Sequence, residues 1–153
     1  MINTHTIRSN TMKQHMPTLA HILTPFPHTI DSQTSIETAA DIMRQQGIRH
    51  LVVTSEDDFT GLISERDFQQ HEVFGSHSDC LTVDDLCTHN VVVADIHDPL
   101  DKVLDAMAEK QLGSVVVLKN GELSGILTTV DVCRHFSQYL KEQFASPPED
   151  ITA

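Results

Sequence analysis

The chain has no tryptophan, and aromatic residues make up only 5% of its 153 positions. Stacked rings therefore cannot build its interior, and the core has to come from Ile, Val, Leu, Met and Ala, a composition that suits α/β packing. Basic residues are also scarce, with 10 Lys and Arg against 22 Asp and Glu and a net charge of −12. A surface of that sign repels phosphate backbones and anionic headgroups, and no local basic patch offsets it, so neither nucleic acid nor a membrane is an expected partner. Any phosphate has to be held by a few local Arg, Lys, His or backbone N–H groups. The three cysteines, Cys80, Cys87 and Cys133, are odd in number and lack a Cys-x-x-Cys spacing. That argues against a disulfide framework and a four-cysteine zinc site, and for a reducing compartment. Met1 to Met16 carries Asn3, Arg8, Asn10, Lys13 and Gln14 without the apolar centre of a signal peptide. No segment approaches the roughly 20 apolar residues of a membrane span, and the expected location is cytoplasmic. There is no Ser-His-Asp order, no pair of carboxylates at strand ends and no phosphate-cradling GxxxxGK[ST] loop. Catalysis is not expected.

What the chain does have is a repeat. Sliding the sequence along itself by 64 residues, the distance from Thr18 to Thr82, aligns it without a gap. At that offset Thr24 meets Thr88, Asp31 meets Asp95, Met43 meets Met107, Val52-Val53 meet Val116-Val117, Gly61 meets Gly125 and Asp67 meets Asp131. Apolar positions pair too, as in Ile36 with Leu100 and Ile48 with Leu112. The expected division is a tail over 1–16, a first unit over 17–73, a linker over 74–80, a second unit over 81–141 and a tail over 142–153.

Within each unit, Ile36, Ala39, Ala40 and Met43, and likewise Leu100, Val103, Leu104 and Met107, recur at i, i+3, i+4 and i+7, one face of an amphipathic helix. Polar starts precede them, Thr34-Ser35 and Asp98-Pro99, where a cap and a first-turn proline belong. Short β-rich runs follow at His50–Thr54 and Ser114–Leu118, then turns at Glu56-Asp57-Asp58 and Asn120-Gly121-Glu122, then second strands at Thr60–Ile63 and Ser124–Leu127. Asn120-Gly121 is the stronger hairpin signal. A second helix starts at Ser64 or Thr128, and Val132, Cys133, Phe136, Leu140 and Phe144 mark a long apolar stripe on the latter. Each unit thus reads strand, helix, strand, strand, helix, an α/β (α+β) unit with a small three-stranded sheet and two helices. A unit under 60 residues is marginal alone, so the two should pack into one pseudo-symmetric module.

The segments Gly61-Leu62-Ile63-Ser64-Glu65-Arg66-Asp67 and Gly125-Ile126-Leu127-Thr128-Thr129-Val130-Asp131 resemble the strand-to-helix signature of CBS domains: Gly, two apolar residues, Ser or Thr, two variable residues, Asp. Two units of this order and length resemble a CBS-domain pair, or Bateman module, over Pro17 to Lys141. The residues offer a chemical reason for the motif. A Ser64 or Thr128 hydroxyl at a helix start, beside free N–H groups, makes an anion site, and a carboxylate three residues on, Asp67 or Asp131, is placed to accept from both ribose hydroxyls. The same residues also read as a helix cap that needs no ligand.

The resemblance implies more. In such pairs the acid comes from one repeat and the adenine wall from the other, so one site would use Ser64 and Asp67 with Val92, Leu112 and Ser114, and a second Thr128 and Asp131 with His28, Ile48 and His50. Arg49 and Arg66 would reach phosphate in the first site, or Arg66 is simply a solvated helix-start residue; the matching positions in the second repeat are Gly113 and Val130. The expected ligand is AMP, ADP or ATP, with no required cofactor. The expected assembly is a homodimer through the helices, with a protein target the sequence does not name. The alternative is a dimeric scaffold whose pockets are empty or hold another adenosyl compound such as S-adenosylmethionine. His71, His77 and Cys80 have the spacing closest to a metal cluster, but scattered surface histidines account better for them, and no metal is expected. Cys87 matches Leu23 in the other repeat and reads as a small buried hydrophobe.

Overall fold

A computed structural model describes residues 16–73 and 81–144. The duplicated unit is a β-strand, a crossover helix, and a β-hairpin leading into a second helix. In the first repeat these are β2 (Thr29–Asp31), α2 (Ile36–Gln46), β3 (His50–Ser55), β4 (Asp58–Ser64) and α3 (Glu65–Val73). In the second they are β5 (Val93–Asp95), α5 (Leu100–Glu109), β6 (Ser114–Lys119), β7 (Glu122–Thr128) and α6 (Thr129–Phe144). β2 runs parallel to β3 and β5 to β6, while β3/β4 and β6/β7 are antiparallel hairpins. Both hairpins shift register at matching places, between Val53 and Thr54 and between Val117 and Leu118.

Local chemistry explains the elements. Ser35 caps α2 by accepting the Thr38 N–H at 3.2 Å, and Gly47 ends it in the left-handed region at φ 64°, where a Cβ would be strained. The second unit departs from the expected Asp-Pro start. Pro99 itself occupies the cap position of α5, and Asp98 instead turns back to accept the Asp95 N–H at 2.8 Å. Asn120 and Gly121 both take positive φ, 54° and 83°, as the hairpin signal requires. Glu56 and Asp57 do the same at 50° and 69° with weaker sequence warrant.

Each unit also opens with a short helix that the strand-helix-strand-strand-helix reading did not include: α1 (Leu19–Ile22) and α4 (Val83–Leu86). Neither packs on its own repeat. Leu19 and Ile22 join the core of the second, with Leu100, Val103, Met107, Val115, Val117 and Leu127. Val83, fully buried, completes the core of the first, with Ile30, Ala39, Met43, Leu51, Val53 and Ile63. The backbone follows the same exchange. β1 (Thr24–Pro25) adds to β7 and makes the second sheet four-stranded, in the order β1-β7-β6-β5, instead of three-stranded. The first sheet stays three-stranded, β2-β3-β4, with Thr88 meeting Leu62 in a single bridge whose two N–H···O bonds measure 2.8 and 3.0 Å.

Glycines make these crossings possible. A Cβ on Gly125 would lie 2.8 Å from the Thr24 carbonyl, and one on Gly61 would lie 2.9 Å from the Thr88 carbonyl, both too close for any side chain. Val52 and Val116 alternate to the faces of β3 and β6 that look away from the two cores, yet they are 1% and 0% exposed. The chain covers both faces of its sheets at the centre of the pair.

Candidate functional site

Both signature motifs build the same helix start. Ser64 ends β4, and its N–H and hydroxyl donate to Asp67 Oδ2 at 2.7 and 2.8 Å. Thr128 ends β7 and donates in the same way to Asp131 Oδ2, with the N–H bond at 2.9 Å; the Asp131 N–H returns a bond to the Thr128 hydroxyl at 3.2 Å. One oxygen of each carboxylate is therefore committed to capping its own helix.

The second oxygens differ. Asp131 Oδ1 accepts from the Thr24 hydroxyl at 3.3 Å and from the Arg134 guanidinium at 3.2 Å, and the residue is 8% exposed. Asp67 is half-buried, and its Oδ1 has no hydrogen-bond partner among the described residues. The positions matching Thr24 and Arg134 are Thr88 and Gln70, so the first repeat has no cation to offer its acid at that place. Neither Thr24 nor Arg134 was singled out from the sequence. Arg134, three residues after Asp131 on a helix, had a local signal, but Thr24 reaches Asp131 only through the crossing of β1 onto β7.

The starts of the inner strands lie beside these caps. His50 pairs with Ser64 and Ser114 with Thr128 in the strand register, and the N–H groups of Glu65 and Thr129 donate to the Arg49 and Gly113 carbonyls, each at 3.0 Å. The two repeats meet here, since a Cβ on Gly113 would stand 3.8 Å from His50 Nε2. Burial pushes the His50 pKa below its ordinary 6.5. Asp67 opposes that most among the charges, Arg49 and Arg66 add to it, and Asp131 opposes it less. Four charged groups from both repeats thus act on one half-buried ring, which the family resemblance assigns to the site of Asp131. The Arg49 Nε is 3.6 Å from Glu65 Oε2, with both side chains largely exposed, and Arg66 makes no ion pair among the described residues.

The remaining predicted residues line the two halves. Ile48 packs against the first core, and Val92 and Leu112 against the second. The His28 and Val92 carbonyls accept from Val52 and Val116 at 3.0 and 3.3 Å, matching positions on the two sheets. No hydrogen bond joins the His28 ring or the half-buried Ser114 to either acid among the described residues. Two surface hollows, of about 480 and 370 Å³, lie elsewhere; none of the twelve predicted residues lines either.

Cys87 is half-buried and packs over Gly61, as Leu23 does over Gly125. Burial, then Asp84 and Asp67, push its thiol up to about 11, so at neutral pH it keeps its proton and is a poor nucleophile. Of the weak metal trio, His77 and Cys80 lie outside the described residues, and the His71 Nε2 is buried with no hydrogen-bond partner among those described. No helix among the described residues is long and apolar enough to cross a membrane.

The family model for the CBS domain matches residues 19–72 and again 83–138. The chain belongs to the CBS-domain family. It is similar to hypoxic response protein 1 of Mycobacterium tuberculosis, 25% identical over 131 residues that cover 84% of this chain and 92% of that one. Among solved structures it resembles the CBS-domain pair of protein MJ0100 in complex with 5′-methylthioadenosine and S-adenosyl-L-methionine. That pair is 27% identical with a TM-score of 0.73, covering 82% of this chain and 99% of the other. It also shares its fold with CBSX2 solved in complex with AMP, at 24% identity and a TM-score of 0.68 over 80% and 97% of the two chains. Pairs of CBS domains are regulatory ligand-binding modules, and this chain is a tandem pair with the mixed α/β architecture of its relatives.

Proposed function

We propose that this CBS pair is a regulatory module that binds one adenine nucleotide between its repeats, on the side of Ser64 and Asp67. The observation that carries this reading is the difference between the two acids. Asp67 keeps one carboxylate oxygen open for ribose hydroxyls, while both oxygens of Asp131 are engaged by Thr128, Thr24 and Arg134. Arg49 and Arg66 give the Asp67 side the cations that phosphate requires, and the second repeat has Gly113 and Val130 there. The adenosyl ligands held by MJ0100 and CBSX2 support the ligand class.

Calorimetry with AMP, ADP, ATP and S-adenosylmethionine tests it. The expected result is one equivalent of a phosphorylated ligand, with affinity lost in Asp67→Ala and kept in Asp131→Ala. A ligand at 100-fold excess over its Kd would also raise stability by about 2.7 kcal/mol. Binding of S-adenosylmethionine alone would move the reading to another adenosyl compound. No heat from any of the four would favour the scaffold reading.

A second feature supports assembly. On α6 the Phe136 and Tyr139 rings stack with centroids 6.2 Å apart while remaining 58% and 45% exposed, and Phe144 is 77% exposed. Phe136 and Tyr139 border the 370 Å³ hollow floored by Ile22, Leu100 and Leu104. An apolar face of this kind marks a partner surface, and a two-fold homodimer is its commonest use. Light scattering should report twice the 17.0 kDa chain mass, shifting toward one chain in Phe136→Glu.

A further inference from the structure

Away from the cleft, Asp84, Cys87 and His89 bring three different electron-pair donors together where α4 leads into the Thr88 bridge. Their ligand atoms all lie within 4.8 Å of one another. Cys87 Sγ is 3.6 Å from His89 Nε2, which is 3.6 Å from Asp84 Oδ1. A tetrahedral zinc with bonds of about 2.3 Å to sulfur and about 2.0–2.2 Å to nitrogen and oxygen sets neighbouring ligands about 3.4–3.6 Å apart. The two pairs that share His89 Nε2 stand at that spacing, and the third, Cys87 with Asp84, lies within 4.8 Å.

Two further observations are independent of the distances. His89 Nδ1 lies 3.3 Å from the Thr60 carbonyl, which only accepts, so that nitrogen carries the proton. In the neutral ring this leaves the lone pair on Nε2, the nitrogen 3.6 Å from both a carboxylate oxygen and a sulfur. Orientation of a ligating imidazole by a backbone carbonyl is the usual supporting bond of a metal-bound histidine. The repeat supplies an internal control. At the matching positions the first unit has Ala20, Leu23 and Pro25, which with Ser124 line the 480 Å³ hollow. The fold is therefore satisfied by small and apolar residues at this place, and packing does not require an acid, a thiol and an imidazole.

We propose that Asp84, Cys87 and His89 form a zinc-class metal site with three protein ligands and a fourth position open to solvent. The mixed sulfur, nitrogen and oxygen set suits zinc and disfavours magnesium or calcium, which take oxygen alone. As the Zn–Sγ bond forms, the Cys87 thiol gives its proton to solvent, and the thiolate and carboxylate together balance the two positive charges of the ion.

Reduced protein, stripped with a chelator and free of nucleotide, is to be titrated with zinc alone and then with cobalt(II) alone. The expected result is one equivalent of zinc at this site, and for cobalt a thiolate charge-transfer band with the intense visible bands of four-coordination. His89→Ala, which changes an exposed ring, and Cys87→Ala should each weaken zinc binding at least about tenfold. Cys133→Ser and Cys80→Ser should leave it unchanged. Circular dichroism of the metal-free variants confirms that each is folded. Cobalt binding without a thiolate band, a band that survives Cys87→Ala, or a band lost in Cys80→Ser would overturn the assignment, leaving His89 and Asp84 as an exposed ion pair beside a packed thiol.

Discussion

Replacing each signature acid by alanine should separate two carboxylates that the sequence presents as equivalent. Asp67→Ala removes the acceptor of the Ser64 N–H and hydroxyl, and loss of such a cap costs about 1 kcal/mol. Asp131→Ala removes the same cap and also the bond from the Thr24 hydroxyl, whose net loss adds about 1 kcal/mol. The Arg134 side chain is 72% exposed, so its ion pair adds less than about 1 kcal/mol. The expected order is therefore about 2–3 kcal/mol for Asp131→Ala against about 1 for Asp67→Ala. Urea unfolding with a common slope reads the difference directly. A cycle with Thr24→Val isolates the long-range bond, and the double variant should lose about 1 kcal/mol less than the two singles predict. If Asp131→Ala costs no more than Asp67→Ala, the bonds from Thr24 and Arg134 contribute nothing, and if the cycle closes additively, the Thr24 bond contributes nothing. The case for a closed second acid then fails.

The crossing strands can be tested through their glycines. Alanine in a strand ordinarily improves on glycine, but Gly125→Ala drives a Cβ against the Thr24 carbonyl and should cost about 1–3 kcal/mol. Gly113→Ala, whose nearest neighbour would be His50 Nε2 at 3.8 Å, should be close to neutral, and thermal melting at about 2–4 °C per kcal/mol resolves the two. His50 makes stability depend on pH. Its folded pKa lies below 6.5, so the unfolded chain binds more protons in that window, and stability present at and above 6.5 is lost as pH falls through it. Urea midpoints on either side of 6.5 should show part of that drop disappearing in His50→Asn; an unchanged drop would mean other groups cause all of it.

Most of the repeat was legible because it is local. The i, i+3, i+4, i+7 rows of Ile36–Met43 and Leu100–Met107 became α2 and α5, and both hairpins and the caps at Ser64 and Thr128 stand where turn and cap chemistry put them. What was missed depends on contacts across the pair. Leu19 and Val83 look like ordinary apolar residues at the start of each unit, and nothing in their neighbourhood says that each is buried in the other repeat's core. Asp131 and Asp67 share one motif, and what closes one carboxylate and leaves the other open is the path of β1, which brings in Thr24, together with Arg134 where the first repeat has Gln70. The apolar stripe on α6 was read correctly as a pattern, but Val132 alone of its members packs against a core, and Cys133, Phe136, Leu140 and Phe144 face outward.

The exchange of α1 and α4 has a consequence for how the chain can be divided. A peptide bond cut between Val73 and Leu81 would not release two independent halves. The N-terminal fragment would carry Leu19 and Ile22 with no core to receive them and would lack the Val83 that fills its own. The C-terminal fragment would lack Leu19 and Ile22. Each piece would expose an apolar socket whose plug sits on the other piece. Expressed separately the two should be poorly folded, and mixed together they should reassemble into the native pair.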